Sequence, residues 1–373
     1  MIVVTTAISG SAEMDHLTNI VLYAEKIGKK AKIFNVADLF FEQAQKIKER
    51  ITRRKVLNTK SQTMAALQSS VSERLIRELP QWTGTDSLAI INVHATFYRK
   101  GVFKRGFNSY YLSQFNADIY VNLLSDAEVV FNNLSKRSQW NFLFEDAKKK
   151  NVLKKIMLWQ SDEVKDTESW AERERKKFFI VPTRSSPEII YRIVFEPWRQ
   201  MFYIGMPITH LHGEQYAEAR NRIDRLAEWL KKYVILIDPR NVEPLTPEML
   251  AVIDKEIYHQ VVVRDLDWLI PQCDGIVAFH PEAIISTGMN HEIREVFETN
   301  GESFVIYPYD QKSVSPFFID WTDEKLFQNE EEFKIRFLEY LGEEYLKKVE
   351  ESEKLCSIKK DGGKDAAKKE KVR

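Results

Sequence analysis

The feature that most constrains this chain is an alternation of short β-branched segments with amphipathic helices. The first segment, Ile2–Thr6, is β-branched throughout and is followed by apolar residues spaced three and four positions apart. Strand and helix alternate again after it, which predicts β-α-β units and a mostly parallel sheet. The further strands predicted in this half are Ala31–Val36, Leu88–Val93, Ile119–Leu123, Phe178–Pro182 and, as a fragment, Lys155–Leu158.

The same alternation starts afresh after a boundary near Phe195–Arg199. One helix is predicted over Thr246–Ile270, because it opens with a capping threonine, a proline and an acid. The segments around it again read as strand, helix and strand, which predicts a second parallel sheet. The strands predicted in this sheet are Met201–Met206, Val234–Ile237, Gly275–Phe279 and Ser303–Tyr307.

Length and pattern together predict two domains and a tail. A chain of 373 residues is long enough for two domains of ordinary size. We predict an α/β fold with two doubly wound, mostly parallel-sheet domains, over residues 1–196 and 197–320. Residues 321–373 are predicted to form a charged amphipathic helix from Glu331 and a lysine-rich, disordered tail.

Composition and charge exclude several classes of function. Lysine plus arginine and aspartate plus glutamate both number 55, so no global charge points to nucleic acid. The basic stretch Lys46–Lys55 is read either as a solvated helix face or as a phosphate contact. Two distant cysteines, Cys273 and Cys356, make neither a disulfide framework nor a zinc site, and no cofactor is expected. Without a signal peptide or an apolar run of about 18 residues, we expect a cytoplasmic protein with no membrane segment.

Acidic residues cluster where strands of the second domain are predicted to begin or end. Ligands of open α/β sheets bind beyond the carboxyl ends of the strands. We expect Tyr203–Gly213, Arg264–Phe279 and Ser286–Val296 to meet there. The acids predicted to share this edge are Asp265, Asp267, Asp274 and Glu292.

The turn before Glu292 is the most informative part of this cluster. Ser286-Thr287-Gly288 reads as a strand-to-helix turn, whose backbone N–H groups would form an anion site. Glu292 follows in the first turns of the helix. Pairs of carboxyl groups suit glycosidic chemistry, because one attacks the anomeric carbon while the other handles the proton of the leaving group. Asp274, between a helix and a strand, is read either as a substrate contact or as a turn residue.

These segments resemble the nucleoside 2-deoxyribosyltransferase superfamily and, within it, the deoxynucleoside-monophosphate N-glycosidase branch. The resemblance covers about Trp198 to Asp320 and is carried by DLDWL, CDGIVA and S-x-G-x-x-x-E, in that order after a tyrosine-containing strand. It implies that Glu292 is the nucleophile, that Asp265 lies near the base and the ribose, and that Ser286 contacts phosphate. The substrate-binding residues predicted from the resemblance and the turn are Tyr203, Ile208, Ser286, Gly288 and Asp274.

The sequence departs from this family at three positions. Arg294 stands two residues after the glutamate, where the family has glycine. Met206 and Thr209 stand where the monophosphate branch has a glycine and an arginine. The side chains that could replace that arginine in phosphate recognition are His210, His212 and Arg264.

The first half lacks the phosphate loop that its opening strand would suggest. After Ile2–Thr6 the chain reads AISGSAEMDHLT, without the second glycine or the lysine that a phosphate cradle needs. Lys32–Phe40 and Ala89–Gly101 resemble segments of archaeal-type adenylate kinases and related P-loop kinases, although Asn92 replaces an acid. The resemblance implies a degenerate P-loop kinase-like domain that does not transfer phosphoryl groups.

Two functions from different classes are therefore predicted. The first is an N-glycosidase or deoxyribosyltransferase that acts on a nucleoside or nucleoside 5′-monophosphate through a covalent intermediate on Glu292. The second is a non-catalytic nucleotide-binding sensor or regulatory protein. A homodimer or higher oligomer is also expected, because the resemblance implies shared sites and the helix Thr246–Ile270 has apolar residues on several faces. Either a second copy or the first domain could cover that helix.

Overall fold

Each half of the chain builds its own sheet. The computed structural model divides the chain into two compact units, residues 1–195 and 196–373. Each unit contains a sheet of five parallel strands, so the predicted α/β class with two mostly parallel sheets is confirmed. The described residues include no helix that is long and apolar enough to cross a lipid bilayer. The structure describes residues 1–53, 56–99, 101–145, 148–207, 213–242, 255–281, 286–310, 314–322 and 325–354.

The first unit alternates strands and helices from its second residue onward. Several of its helices begin at polar caps, such as Asn35, whose side chain accepts the N–H of Ala37 at 3.1 Å. In chain order the elements are β1 (Ile2–Thr6), α1 (Glu13–Lys26), β2 (Lys30–Asn35), α2 (Val36–Lys46), α3 (Ser61–Glu78), β3 (Ser87–Val93), β4 (Thr96–Arg99), β5 (Val102–Arg105), α4 (Ser109–Leu112), β6 (Ile119–Leu124), α5 (Ala127–Ser135), α6 (Asn141–Phe144), α7 (Lys149–Glu174), β7 (Lys177–Pro182) and α8 (Glu188–Phe195).

The sheet of the first unit has the strand order β2-β3-β1-β6-β7. Strands β1, β3 and β6 are buried along their whole length, as expected for parallel strands that helices cover on both faces. The register places Val4 beside Ile91 on one side and beside Tyr120 on the other. β4 and β5 form a separate antiparallel hairpin.

One predicted strand of the first unit is wrong. Lys155–Leu158, interpreted as a strand fragment, lies inside the helix α7. A short apolar run does not by itself distinguish a strand from a buried stretch of helix. Residues Val152, Ile156 and Trp159 are all buried, and their spacing of four and three positions places them on one helix face.

The second unit repeats the alternation with shorter strands. Residues 343–354 are also helical, up to the last residue that the structure describes. In chain order the elements are β8 (Met201–Gly205), α9 (Gly213–Leu230), β9 (Ile235–Ile237), α10 (Lys255–Val263), a π-helical turn (Arg264–Leu269), β10 (Gly275–Phe279), α11 (Thr287–Glu298), β11 (Glu302–Ile306), α12 (Pro316–Trp321), β12 (Leu326–Phe327) and α13 (Glu330–Leu341).

The sheet of the second unit continues beyond the end predicted for its domain. Its strand order is β12-β11-β10-β8-β9, and β12 pairs with β11 through Leu326 and Phe327. The helix α13 adds Phe333 and Phe337 to the same hydrophobic core. Residues 321–373 were predicted to lie outside the second domain. Those of them that the structure describes, up to residue 354, belong to the second unit instead, because the apolar face of α13 completes its core. Residues 355–373, which include the predicted tail, lie outside the described residues.

Candidate active site

Five of the predicted site residues surround one cavity at the carboxyl edge of the second unit's sheet. The cavity has a volume of about 260 Å³ and lies where β8 and β9 end and α11 begins. Open α/β sheets bind their ligands at this edge. The predicted residues that line the cavity are Tyr203, Asp265, Ser286, Gly288 and Glu292.

Glu292 lies in the second turn of α11 and lines the cavity. Its neighbours Met289 and Ile293 are buried, which fixes the rotation of the helix around its axis. One carboxylate oxygen accepts a long hydrogen bond of 3.4 Å from the hydroxyl of Tyr203. The other oxygen lies against Gly205, where a Cβ atom would come within 2.9 Å of it. The carboxylate therefore occupies space that any side chain at position 205 would take.

Burial and a neighbouring acid change the protonation of Glu292. Burial is the largest cause that raises the pKa of this carboxyl, the negative charge of Asp265 raises it as well, and the hydrogen bond from Tyr203 lowers it; together they bring the pKa to about 8. Burial, together with Asp265 and Glu292, also raises the pKa of the Tyr203 phenol well above its ordinary value. Below pH 8 most Glu292 side chains are therefore protonated in the free protein.

Asp265 reaches the cavity from a π-helical turn. α10 does not continue as a regular helix but widens over Arg264–Leu269, and the N–H of Ile270 donates to the carbonyl of Asp265 at 3.0 Å. A π-helical turn adds one residue per turn and is frequent at functional sites. Here it leaves Arg264 buried and Asp265 half-buried, and both side chains line the cavity. The predicted helix Thr246–Ile270 is thus interrupted within its described part, residues 255–270.

Ser286 and Gly288 form the amino-terminal turn of α11. Ser286 is the N-cap residue, is 7% exposed, and makes no side-chain capping hydrogen bond. The carbonyl of Ser286 accepts the N–H of Asn290 at 3.0 Å, which leaves the N–H groups of the preceding helical residues without an acceptor inside the helix. This turn offers hydrogen-bond donors and the positive end of the helix dipole to a ligand in the cavity.

The placement of Asp274 at this edge is wrong. Asp274 precedes β10 and lies at the opposite, amino edge of the sheet, where its carboxylate accepts the N–H of Met201 at 2.7 Å. Its own N–H donates to the carbonyl of Met201, and its carbonyl accepts the N–H of Glu302. Asp274 therefore joins the amino ends of three parallel strands, so the turn interpretation holds and the substrate contact does not.

Five other residues named from the sequence either do not line the cavity or lie outside the described residues. Asp267 is exposed and does not line the cavity. Arg294, the departure from the family glycine, pairs on the surface with Glu298 at 2.7 Å and leaves the cavity unobstructed. Ile208 lies outside the described residues, as do His210 and His212.

Sequence reasoning missed two contributors to this cavity. Gly205 ends β8, and a glycine in a strand beside a predicted site is a sign of close approach that could have identified it. Arg240 lines the cavity after β9, where Asp238 binds its guanidinium through contacts of 2.6 and 2.8 Å and Asp224 binds it at 2.7 Å. No motif in the sequence marks Arg240, because its partners are assembled by the sheet.

The described residues contain no group of three or more histidine, cysteine, aspartate or glutamate side chains that could hold a metal ion. The site is thus characterised by two carboxyl groups at one cavity, a buried tyrosine and the turn at Ser286. No protein-family model matches the sequence, and no curated protein matches it either.

Proposed function

We propose that the second unit cleaves or transfers the N-glycosidic bond of a nucleoside or nucleoside 5′-monophosphate. The observation that carries the proposal is the position of Glu292 at this cavity. Its carboxylate lies against Gly205 and accepts a hydrogen bond from Tyr203, and the neighbouring charge of Asp265 raises its pKa. Two carboxyl groups at one site suit the cleavage of a glycosidic bond, in which one attacks the anomeric carbon and the other transfers the proton of the leaving group. The resemblance of this region to nucleoside 2-deoxyribosyltransferases agrees with the same assignment.

The reaction proceeds in two displacements. The ionised carboxylate of Glu292 attacks the anomeric carbon, the N-glycosidic bond breaks, and the base leaves with the bonding electron pair. Asp265 assists by holding or delivering the proton that neutralises the leaving base. Water or a second base then attacks the glycosyl-Glu292 ester and releases the carboxylate, giving hydrolysis or transfer respectively.

The turn at Ser286 would hold the other end of the substrate. Its hydroxyl and the N–H groups of the first turn of α11 suit either a 5′-hydroxyl or a 5′-phosphate. Arg240 contributes little additional positive charge, because Asp238 and Asp224 already bind it. Both substrate classes therefore belong in the test.

The decisive experiment incubates the purified chain with a panel of ribo- and deoxyribonucleosides and their 5′-monophosphates. Chromatography would follow the release of free base, and addition of a second base would reveal transfer. We expect release from at least one member of the panel. Absence of free base from every member, with a folded protein, would remove the enzymatic proposal.

A second candidate is a non-catalytic nucleotide-binding protein. The observation that favours it is the raised pKa of Glu292, about 8, which leaves little ionised nucleophile at neutral pH. Under this candidate, calorimetry would detect binding of a nucleoside or nucleotide to the second unit without release of base at any pH up to 9.

The remaining expectations concern the first unit, assembly and location. We propose that the first unit transfers no phosphoryl group, so purified protein should show no Mg²⁺-dependent kinase or ATPase turnover. We also propose a cytoplasmic protein that forms homodimers or higher oligomers. Light scattering would contradict the assembly proposal if it showed a fully active monomer at micromolar concentration.

A further inference from the structure

The first unit contains a larger cavity than the candidate active site. Its volume is about 490 Å³, within the range of small-molecule sites. It is lined by residues that end or follow β1, β2 and β3, such as Ser9, Asn35 and His94, and therefore lies at the carboxyl edge of that sheet. The proposed glycosidic chemistry of the second unit makes no use of it.

Two amide groups in this cavity have poor hydrogen-bond acceptors. The amide nitrogens of Asn35 and Asn92 lie 3.3 and 3.5 Å from the sulfur of Met14. Their amide oxygens are already used, since Asn35 caps α2 and Asn92 accepts the hydroxyl of Thr5 at 3.1 Å. A thioether is a weak acceptor, so a carbonyl oxygen or ring nitrogen of a ligand would bind these N–H groups better and would displace a flexible methionine.

The walls of the cavity are aromatic. Phe41 and Phe97 line it and are half-buried, and the ring of Phe97 lies 5.1 Å from that of His94. Phe40 and Trp140 also line it and are buried. Flat side chains of this kind favour a planar ligand, which gains both apolar burial and ring contacts.

The charges around the cavity disfavour phosphate. The first turn of α1 carries Glu13 and Asp15 at the position where a helix would otherwise attract an anion. Of the two arginines that line the cavity, Arg53 is paired with Asp38, and Arg137 is exposed. The cavity thus has no excess of positive charge to neutralise a phosphate group.

We propose that this cavity binds an uncharged planar heterocycle with a ring carbonyl, a nucleobase or a nucleoside without phosphate. The ring lies between the aromatic walls, and its carbonyl or ring nitrogen accepts the amide N–H groups of Asn35 and Asn92. This site is independent of the reaction proposed for the second unit.

The test is calorimetric titration of the full chain with uridine, inosine and their 5′-monophosphates. Asn35→Asp keeps the oxygen that caps α2 and removes the two amide hydrogens. We expect it to weaken nucleoside binding at this site at least tenfold without lowering the melting temperature. Asn108→Asp is the matched control, because Asn108 caps α4 through the N–H of Tyr110 at 3.0 Å and does not line the cavity.

The number of binding sites separates this proposal from that for the second unit. If both units bind nucleoside, Asn35→Asp removes one of two sites, whereas Glu292→Gln leaves the first-unit site intact. If the second unit binds nothing, Asn35→Asp removes the single site. Equal loss in Asn35→Asp and Asn108→Asp, a monophosphate bound at the Asn35-sensitive site at least tenfold more tightly than its nucleoside, or no site sensitive to Asn35→Asp would each overturn the proposal.

Discussion

Each unit contains a glutamate whose pKa is raised to about 8, but the two carboxyl groups have different surroundings. In the first unit, Glu163 of α7 accepts hydrogen bonds from the N–H groups of Ala95 and Thr96 and from the hydroxyl of Thr96, at 2.6 to 2.7 Å. In the second unit, the described residues supply Glu292 with a single long hydrogen bond, from Tyr203. The protein therefore supplies hydrogen bonds to both oxygens of Glu163, whereas the carboxyl group of Glu292 can still bind a ligand.

A raised pKa alone therefore does not identify a catalytic acid. Burial is the largest cause of the shift for both groups. What differs is whether hydrogen-bond donors of the protein already occupy both oxygens. Glu163 joins α7 to the residues between β3 and β4, whereas Glu292 faces a cavity beside a second acid. A carboxyl group with a raised pKa belongs to a structural network when protein donors bind both of its oxygens, and is a candidate for an active site when they do not.

Removal of the Glu292 charge should produce the largest effect on activity. Glu292→Gln keeps the shape of the side chain and removes the nucleophile, so we expect base release to fall at least about 100-fold. Thermal stability should change little, because the carboxyl group is already mostly neutral below pH 8. Glu298→Gln on the same helix is the matched control, since Glu298 is half-exposed in a surface pair with Arg294. Full activity of Glu292→Gln would remove the assignment of the nucleophile.

The same substitution in the first unit should instead affect stability. Glu163→Gln places amide hydrogens against the N–H donors at Ala95 or Thr96, and a lost buried acceptor costs about 1–3 kcal/mol. Denaturant titration would measure the change in the free energy of unfolding. Glu168→Gln, on an exposed position of α7, is the control. Equal unfolding midpoints for the two variants would show that the Glu163 network is not stabilising.

The pH dependence of this stability follows from the direction of the shift. The folded-state pKa of Glu163 is raised from 4.5 to about 8, so the folded protein holds this proton more tightly than the unfolded chain. Its contribution is fully present below pH 4.5 and is lost as pH rises to about 8. Unfolding midpoints measured from pH 5 to 9 should therefore fall less in Glu163→Gln than in the parent protein. A parallel decline would assign the pH dependence to other groups.

A methyl group at position 205 should act through Glu292. Gly205→Ala places a Cβ atom 2.9 Å from the carboxylate oxygen, which must move away. Displacement of a reacting group by about 1 Å can cost up to 100-fold in rate, and we expect a loss of about 10- to 100-fold. In a Glu292→Ala background the same methyl group meets no carboxylate. Melting temperatures of the four combinations would test this, because equal costs in both backgrounds would exclude a coupling of the two positions.

The smallest expected effect is a shift of the pH profile in Asp265→Asn. Removal of the neighbouring negative charge lowers the pKa of Glu292, so the acid limb of kcat/KM, expected near pH 8, should move to lower pH. The rate should fall more for substrates with poor leaving groups than for activated substrates, because Asp265 holds or delivers the proton that neutralises the leaving base. An unmoved limb with equal losses on both substrate types would assign Asp265 a structural role.

Local patterns in the sequence were sufficient for much of the fold. The strands predicted at Ile2–Thr6 and Gly275–Phe279 have the same bounds in the structure. They could be predicted because a buried parallel strand is a continuous apolar or β-branched run, readable within a few residues. Lys155–Leu158 was mistaken for a strand because the same local signal also fits a buried helix turn.

The candidate site was predictable only where a motif carries its own geometry. Ser286, Gly288 and Glu292 belong to one turn and helix, so their proximity follows from the sequence. Asp265 joined them at the cavity, whereas Asp274, nearby in sequence, did not. Asp274 directly precedes the strand Gly275–Phe279, whose bounds were predicted correctly, so the direction of that strand places it at the amino edge. The expectation that all four acids share one edge did not take that direction into account.

The alternation of strands and helices, the break between the two units and the turn before Glu292 all follow from local patterns in the amino-acid sequence. These features depend on interactions between residues close in the chain. The tertiary structure alone decided that Gly205 would lie under the Glu292 carboxylate, that a π-helical turn would bring Asp265 to the same cavity, and that Asp274 would join the amino ends of three strands. These contacts depend on which strands pair and in which register, and parallel pairing joins residues that are far apart in the chain.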